Sequence, residues 1–187
     1  MRIKNSFLGI MGFCCIFYQS AAFSAPIIKA PGIATFKLDE IQSFIQRHSS
    51  DSFDYIVIKG DKKQTSQDTD IEKVLNIKLS LRKQDVLKEG DTFEYGAIAL
   101  HDHKYNATYD LTMTSKYDDI VEKWTSPSGS FRITKITKVK WYFYRVSGEF
   151  NLRFVLMPTL DNDFISTGHF SVIVSARKTP IALNPSR

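Results

Sequence analysis

The most regular feature of the chain is an alternation of apolar and polar side chains. In residues 75–82, Leu or Ile occupies every second position, and Asn, Lys, Ser and Arg stand between them. The same period of two recurs in residues 150–157 and 170–176. Because successive side chains of a strand point to opposite faces, each segment predicts a strand with one buried and one solvated face. One solvated face is typical of antiparallel sheets.

Shorter or less regular patterns predict the remaining strands and turns. Strands are expected at residues 53–59, 92–100, 105–114 and 131–146. In the last of these, Ile133 and Ile136 are out of phase, which predicts a bulge near Thr134. A tight turn is expected at Ser147-Gly148, and the polar residues 60–70 predict an exposed loop.

Two segments instead show helical spacing. Leu38, Ile41, Phe44 and Ile45 predict a helix over residues 38–48, and Tyr117, Ile120, Val121 and Trp124 predict a second one. An apolar helical stripe needs a sheet to cover, so we predict an α+β fold, a curved antiparallel β-sheet with two short helices. The alternative is an all-β two-sheet sandwich.

The first 24 residues have the pattern of a secretory signal peptide. Arg2 and Lys4 precede an apolar run at residues 7–18, and small residues follow to Ser24. The run is shorter than the ~20 residues that span a bilayer. Small residues at positions 22 and 24 predict cleavage after Ser24. We therefore expect a secreted, periplasmic or cell-surface protein without a transmembrane segment after cleavage.

Cleavage would leave residues 25–187 as a single β-rich domain. Its first residues, 25–32, are expected to form an extended arm, and residues 179–187, with two prolines, a loose tail. Both cysteines, Cys14 and Cys15, belong to the signal peptide, so the exported chain would be free of cysteine. A chain of this length buries enough apolar surface to fold without disulfides.

Charge and aromatic residues indicate one candidate binding strip. The chain has 25 Lys and Arg against 20 Asp and Glu, an excess too mild to predict a nucleic-acid partner. Lys138, Lys140, Tyr142 and Tyr144 alternate along one strand face, and Arg153 lies nearby in the sequence. Basic and aromatic side chains together bind glycans or anionic surfaces by charge and stacking. The alternative is an ordinary solvated face, where lysine also discourages edge pairing.

His101 and His103 form the one paired-histidine motif. At this spacing in a strand both rings would lie on one face and could share a metal ion, provided that a third ligand exists. The alternative is a polar strand end. No cofactor fingerprint occurs, so we predict no other cofactor. Asn106 begins a glycosylation sequon, which matters only in a host that glycosylates exported proteins.

Three functions remain open. Since the chain lacks nucleophile-elbow, zinc-protease and phosphate-loop motifs, we favour an exported, non-catalytic binding module that presents a groove or cavity to a small ligand or protein. The second is a surface-fibre subunit, because residues 168–176 resemble the last strand of many fimbrial subunits and residues 33–38 would be the donated strand. The third is a small extracytoplasmic hydrolase that uses His101 or His103 beside a carboxylate.

Overall fold

The computed structural model describes residues 24–47, 53–82, 86–95, 105–115 and 119–176, and most of them are in β-strands. The strands are β1 (Ile27–Ala30), β2 (Ala34–Phe36), β3 (Ile41–Arg47), β4 (Phe53–Thr65), β5 (Thr69–Arg82), β6 (Thr92–Tyr95), β7 (Tyr105–Ser115), β8 (Asp119–Lys140), β9 (Phe143–Met157) and β10 (Asp163–Ser175). One turn of 3-10 helix, Leu38–Glu40, joins β2 to β3.

All ten strands belong to one antiparallel sheet that curls on itself. Its order is β2-β1-β10-β9-β8-β7-β5-β4-β3, and β6 pairs with β8. The curl brings β3 beside β10, where the Ser43 hydroxyl donates a hydrogen bond to the Ile173 carbonyl. It also brings β2 against β4, where the Phe36 ring covers Gly60 so closely that a Cβ there would lie 2.5 Å from the ring.

The core fills the inside of this curl. In β5 the buried residues are Leu75, Ile77 and Leu79, and β9 and β10 continue the alternation. The buried apolar side chains that face the core are Val146, Phe150, Leu152 and Phe154 in β9 and Phe170, Val172 and Val174 in β10. Apolar area removed from water in this way is the main favourable term in folding. The curved antiparallel sheet that the alternation predicts is therefore confirmed.

The first predicted helix is wrong. Residues 41–47 form β3, which pairs with β4 along its whole length, from Ile41 opposite Gly60 to Arg47 opposite Asp54. Ile41 and Ile45 pack against the core, whereas Leu38 and Phe44 are exposed. A short isolated helix is marginal in water, so the ladder to β4 outweighs the local helical spacing.

The second predicted helix is also wrong. Residues 119–124 begin β8, and the ladder joins Asp119–Thr125 to Thr108–Thr114 of β7. Ile120 and Val121, which the helical pattern would bury, are exposed, and β-branched residues of this kind suit strands. Tyr117 lies outside the described residues. The α+β class is thus wrong, because the described part of the chain is all-β, in one sheet rather than the two of a sandwich.

The predicted strand over residues 131–146 and its turn are placed differently. β8 ends at Lys140 and β9 begins at Phe143, so the chain turns at Trp141-Tyr142 instead of Ser147-Gly148. Gly148 lies within β9, where a Cβ would approach the Phe170 ring to 2.6 Å. The predicted bulge at Thr134 is confirmed, since the register with β9 shifts between Ile133 and Lys135.

Two other segments are more ordered than their composition indicates. The predicted loop at residues 60–70 is a continuation of β4 and β5, which turn at residues 66–68. The predicted extended arm contains β1, which pairs with β10 and buries Ile28 and Ala30. The predicted signal peptide up to residue 23, the predicted tail 179–187 and the second half of the predicted strand 92–100 lie outside the described residues. In the described ranges no helix has the length and apolarity to cross a membrane.

Candidate binding sites at the two ends of the sheet

The strand register defines two ends of the sheet. At one end, which we call the pocket end, Thr65 pairs with Asp70, Thr69 with Ser115 and Thr114 with Asp119, so the β4–β5 and β7–β8 turns lie side by side. At the opposite end the β8–β9 hairpin turns at Trp141-Tyr142. We call residues 138–143 the hairpin tip.

At the pocket end the inner face of the sheet extends beyond the core. Residues paired across β4, β5, β7 and β8 form rows. The last row of the core is Gly60, Leu75, Tyr109 and Trp124. The next row towards the pocket end is Lys62, Lys73, Leu111 and Glu122, and the outermost row is Gln64, Ile71, Met113 and Ile120. Side chains two positions apart in a strand share a face. Polar and apolar groups thus lie together above the core.

A cavity of about 180 Å³ opens on this face. Its walls are the β1–β2 segment and the β4–β5 hairpin, with the lining residues Ile33, Ala34, Thr35, Lys62, Gln64, Ile71 and Lys73. The Lys73 ammonium donates a hydrogen bond of 2.9 Å to the Ile33 carbonyl. The Lys62 ammonium donates one of 3.3 Å to the Thr35 carbonyl, and it lies 4.0 Å from a Glu40 carboxylate oxygen.

Lys62 and Lys73 stand directly opposite each other in the ladder. Like charges in such a pair repel, at a cost of about 0.2–1 kcal/mol, and an anion beside them relieves that repulsion. Each ammonium has three N–H donors and uses one on a backbone carbonyl, so donors remain for a ligand. The arrangement can therefore bind an anionic group.

Aromatic rings form the floor below this row. Phe154 stacks on Phe164 at a centroid distance of 5.3 Å, and Trp124 meets Phe164 edge-on at 5.1 Å. Burial raises the pKa of Tyr109 above its ordinary value of 10.0, and the negative charge of Glu122 raises it further. The indole N–H of Trp124 donates to Glu122 at 3.4 Å. The phenol of Tyr109 is accordingly held neutral.

A second cavity, of about 200 Å³, lies further along the same hairpin. Its lining is mainly polar: Lys63, Gln64, Thr65, Asp70, Ile71, Glu72, Thr112 and Thr114. Lys63 lies 3.1 Å from Glu72, which raises the pKa of the Lys63 ammonium. The Lys63–Glu72 ion pair is closer than the 4.0 Å approach of Lys62 to Glu40, so the second cavity is the weaker candidate for an anion.

The hairpin tip collects most of the predicted basic and aromatic strip. Lys138 and Lys140 are exposed, and the Tyr142 ring lies 4.7 Å from that of Phe143. Tyr144 pairs with Lys138 in the ladder, but its side chain is half-buried against the core instead of lying on the solvated face. The most exposed large side chain of the tip is Trp141, 72% accessible to solvent.

Arg153 does not join the strip. It lies in the part of β9 that pairs with Ser128, well along the sheet from the tip. Its guanidinium binds Asp163 through Nε and an Nη, each 2.7 Å from the same carboxylate oxygen. In place of Arg153 the tip contains Trp141 and Phe143, which the strand pattern assigns to the buried face. Only the position of the turn reveals their exposure.

The predicted metal ligands cannot be placed. His101 and His103 lie outside the described residues, so this site stays a prediction. Within the described ranges no group of three or more His, Cys, Asp or Glu is arranged to hold a metal ion. Asn106 belongs to β7, and its side chain is also outside what the structure describes.

No protein-family model matches the chain, and searches of the curated proteins and of the solved structures found no significant similarity.

Proposed function

We propose that the protein is an exported, non-catalytic binding module whose pocket end binds a small apolar anion. The observation that supports this most directly is the opposition of Lys62 and Lys73 across β4 and β5, at the wall of the 180 Å³ cavity. Two ammonium groups with donors to spare would hold the anionic group of the ligand.

The neighbouring side chains supply a surface for the apolar part. Ile71 lines the cavity, and Met113 and Ile120 follow it across the outermost inner row. Ile120 is 56% exposed although it lies on the face that elsewhere forms the core. Pockets that enclose a drug-sized ligand have about 300–1,000 Å³, so this cavity fits one end of the ligand while the rest lies along the open face.

Export is the second part of this proposal, and it is supported by the sequence. The leader pattern in residues 1–24 and the confinement of both cysteines to it are expected of a secreted, periplasmic or surface protein without disulfides. The alternative functions have less support. Ile33 and Phe36, which a fibre subunit would donate to a neighbour, are buried in the chain's own core. The hydrolase depends on His101 and His103, which lie outside the described residues.

A titration with anilinonaphthalene sulfonate tests the pocket, because this dye is an apolar anion that fluoresces when bound. The double variant Lys62→Gln/Lys73→Gln should weaken binding by at least about tenfold, since a hydrogen bond to a charged group is worth about 1.5–3 kcal/mol. The matched control is Lys123→Gln, an exposed lysine of the same end whose side chain alternates to the outer face of β8. Equal dye affinity of the double variant and the wild type, with unchanged circular dichroism, would refute the proposed pocket.

A further inference from the structure

The hairpin tip is a two-residue turn with an unusual backbone. Lys140 pairs with Phe143, and the chain reverses through Trp141 and Tyr142. Trp141 has a φ of 45°, in the left-handed region that bulky residues rarely adopt. Residues held in such conformations are concentrated at functional sites. Here the conformation places the largest side chain type at the outermost point of the hairpin.

The tip exposes apolar groups in a cluster. Val139, Trp141 and Phe143 are all among the exposed large hydrophobic residues, and they lie within five consecutive positions. The Lys140 ammonium lies 5.1 Å from the centroid of the Trp141 ring, a cation–π distance. On the other side of the turn the rings of Tyr142 and Phe143 pack against each other.

Positive charge accompanies this cluster along the hairpin. Between residues 132 and 145 the sequence has five basic residues and no acidic one. Lys138 and Lys140 lie in the tip itself, Lys135 and Arg145 lie further down the hairpin, and Arg132 lies opposite Glu149 in the ladder. A carboxylate that does approach the hairpin, that of Glu89, accepts a hydrogen bond from the backbone N–H of Ile136, below the tip. The segment is thus far more basic than the chain as a whole, which has nearly balanced charges.

We infer that the hairpin tip docks the protein on an anionic phospholipid surface. Tryptophan and tyrosine favour the boundary between headgroups and acyl chains, because their rings are apolar and each has one polar group. Lysines beside them are attracted by the negative headgroups. In this arrangement Trp141 and Phe143 enter the boundary, and Lys138 and Lys140 contact phosphates. Charge complementarity selects a lipid surface, and the site is separate from the pocket at the opposite end.

Co-sedimentation with vesicles tests this inference. The wild type should bind vesicles that contain phosphatidylglycerol, bind phosphatidylcholine vesicles much more weakly, and lose binding as salt screens the charges. Trp141→Ser and Lys138→Gln/Lys140→Gln should each reduce the partition coefficient by at least about tenfold, given the contribution of each lysine near an anionic surface. Matched controls are Ile165→Ser, which removes an apolar side chain 66% exposed elsewhere, and Lys123→Gln.

Fluorescence locates the contact. The chain has two tryptophans, Trp124 and Trp141. In Trp124→Phe the emission of Trp141 should shift to the blue on vesicle binding and be quenched by brominated lipid. In Trp141→Phe, where the remaining Trp124 packs against the core, no shift should occur. This second variant keeps the test valid if Trp124→Phe is poorly folded.

Three results would overturn the inference: no binding to either kind of vesicle, equal binding to both, or equal binding by the wild type and the two tip variants. If the protein bound neither kind of vesicle but bound a protein or a glycan through the tip, the tip would be the binding site for that partner. The outcome does not depend on dye binding at the pocket end, because the variants of the two experiments change different residues.

Discussion

The two ends of the sheet place similar side chains in different surroundings. At the pocket end, Lys62 and Lys73 lie on the concave face beside Ile71, and their ammonium groups bond to backbone carbonyls of the β1–β2 segment. At the hairpin tip, Lys140 lies against Trp141 on a protruding turn. We propose that lysine beside apolar surface forms a ligand site where the sheet is concave and a docking surface where it projects. In this proposal the curvature of the sheet at each end decides between the two roles.

The aromatic residues differ in the same way. Near the pocket end, Tyr109, Phe154 and Phe164 pack on one another, with centroid distances of 5.3–6.4 Å. At the tip, Trp141 and Phe143 extend into solvent. We therefore expect the first group to determine stability and the second to determine binding, and variants can separate the two roles.

The largest effect is expected for Phe154→Ala. Phe154 is 0% exposed and stacks on Phe164, so the variant should lose about 3–5 kcal/mol of unfolding free energy through the cavity it leaves. Trp141→Ala should change stability by less than about 1 kcal/mol, as surface substitutions usually do. Urea denaturation followed by circular dichroism measures both. Similar losses in the two variants would mean that the tip is part of the folding core.

Gly60→Ala should have the next largest effect. The added Cβ would lie 2.5 Å from the Phe36 ring, so β2 must move, at a cost of about 1–3 kcal/mol. Because the β1–β2 segment forms one wall of the cavity, affinity for anilinonaphthalene sulfonate should fall as well. Vesicle binding should not change, and it is the internal control. A loss of both activities would show that the ends are coupled.

Tyr109→Phe should alter the response to alkaline pH. Burial, aided by Glu122, raises the pKa of Tyr109 above 10.0, so its contribution to stability is complete below the unfolded pKa and is lost as pH rises through the folded pKa. The variant should therefore lose less stability than the wild type above about pH 10. Urea midpoints measured across this range test the difference. If the stability of the variant and that of the wild type changed in parallel with pH, the Tyr109 phenol would be in contact with water.

The smallest effect is expected for Arg153→Ala. The ion pair with Asp163 is half-exposed, and such pairs contribute about 0.2–1 kcal/mol. Since Arg153 lies away from the tip, vesicle binding and dye binding should both stay at wild-type levels. A reduction in vesicle binding as large as that of the Lys138/Lys140 variant would extend the docking surface along β9 and restore the strip as predicted from the sequence.

Alternation by itself determined much of the sheet. The pattern correctly predicts strands at residues 75–82 and 105–114 and the two long strands near the end of the chain, and its interruption predicts the bulge at Thr134. These predictions depend only on the period of two that backbone geometry imposes on side-chain direction, and a buried face preserves that period in the sequence.

Tertiary structure decided what local pattern leaves open. The apolar spacing at residues 38–48 and 117–124 fits a helix locally, but pairing of β3 with β4 and of β8 with β7 satisfies the backbone in strands. Position 148 is a glycine because the Phe170 ring leaves no room for a Cβ there, and not because the chain turns. The opposition of Lys62 to Lys73 and the exposure of Trp141 follow from strand register and from where the hairpin reverses. Both depend on which residues of neighbouring strands pair with each other, and the local period of the sequence does not specify that pairing.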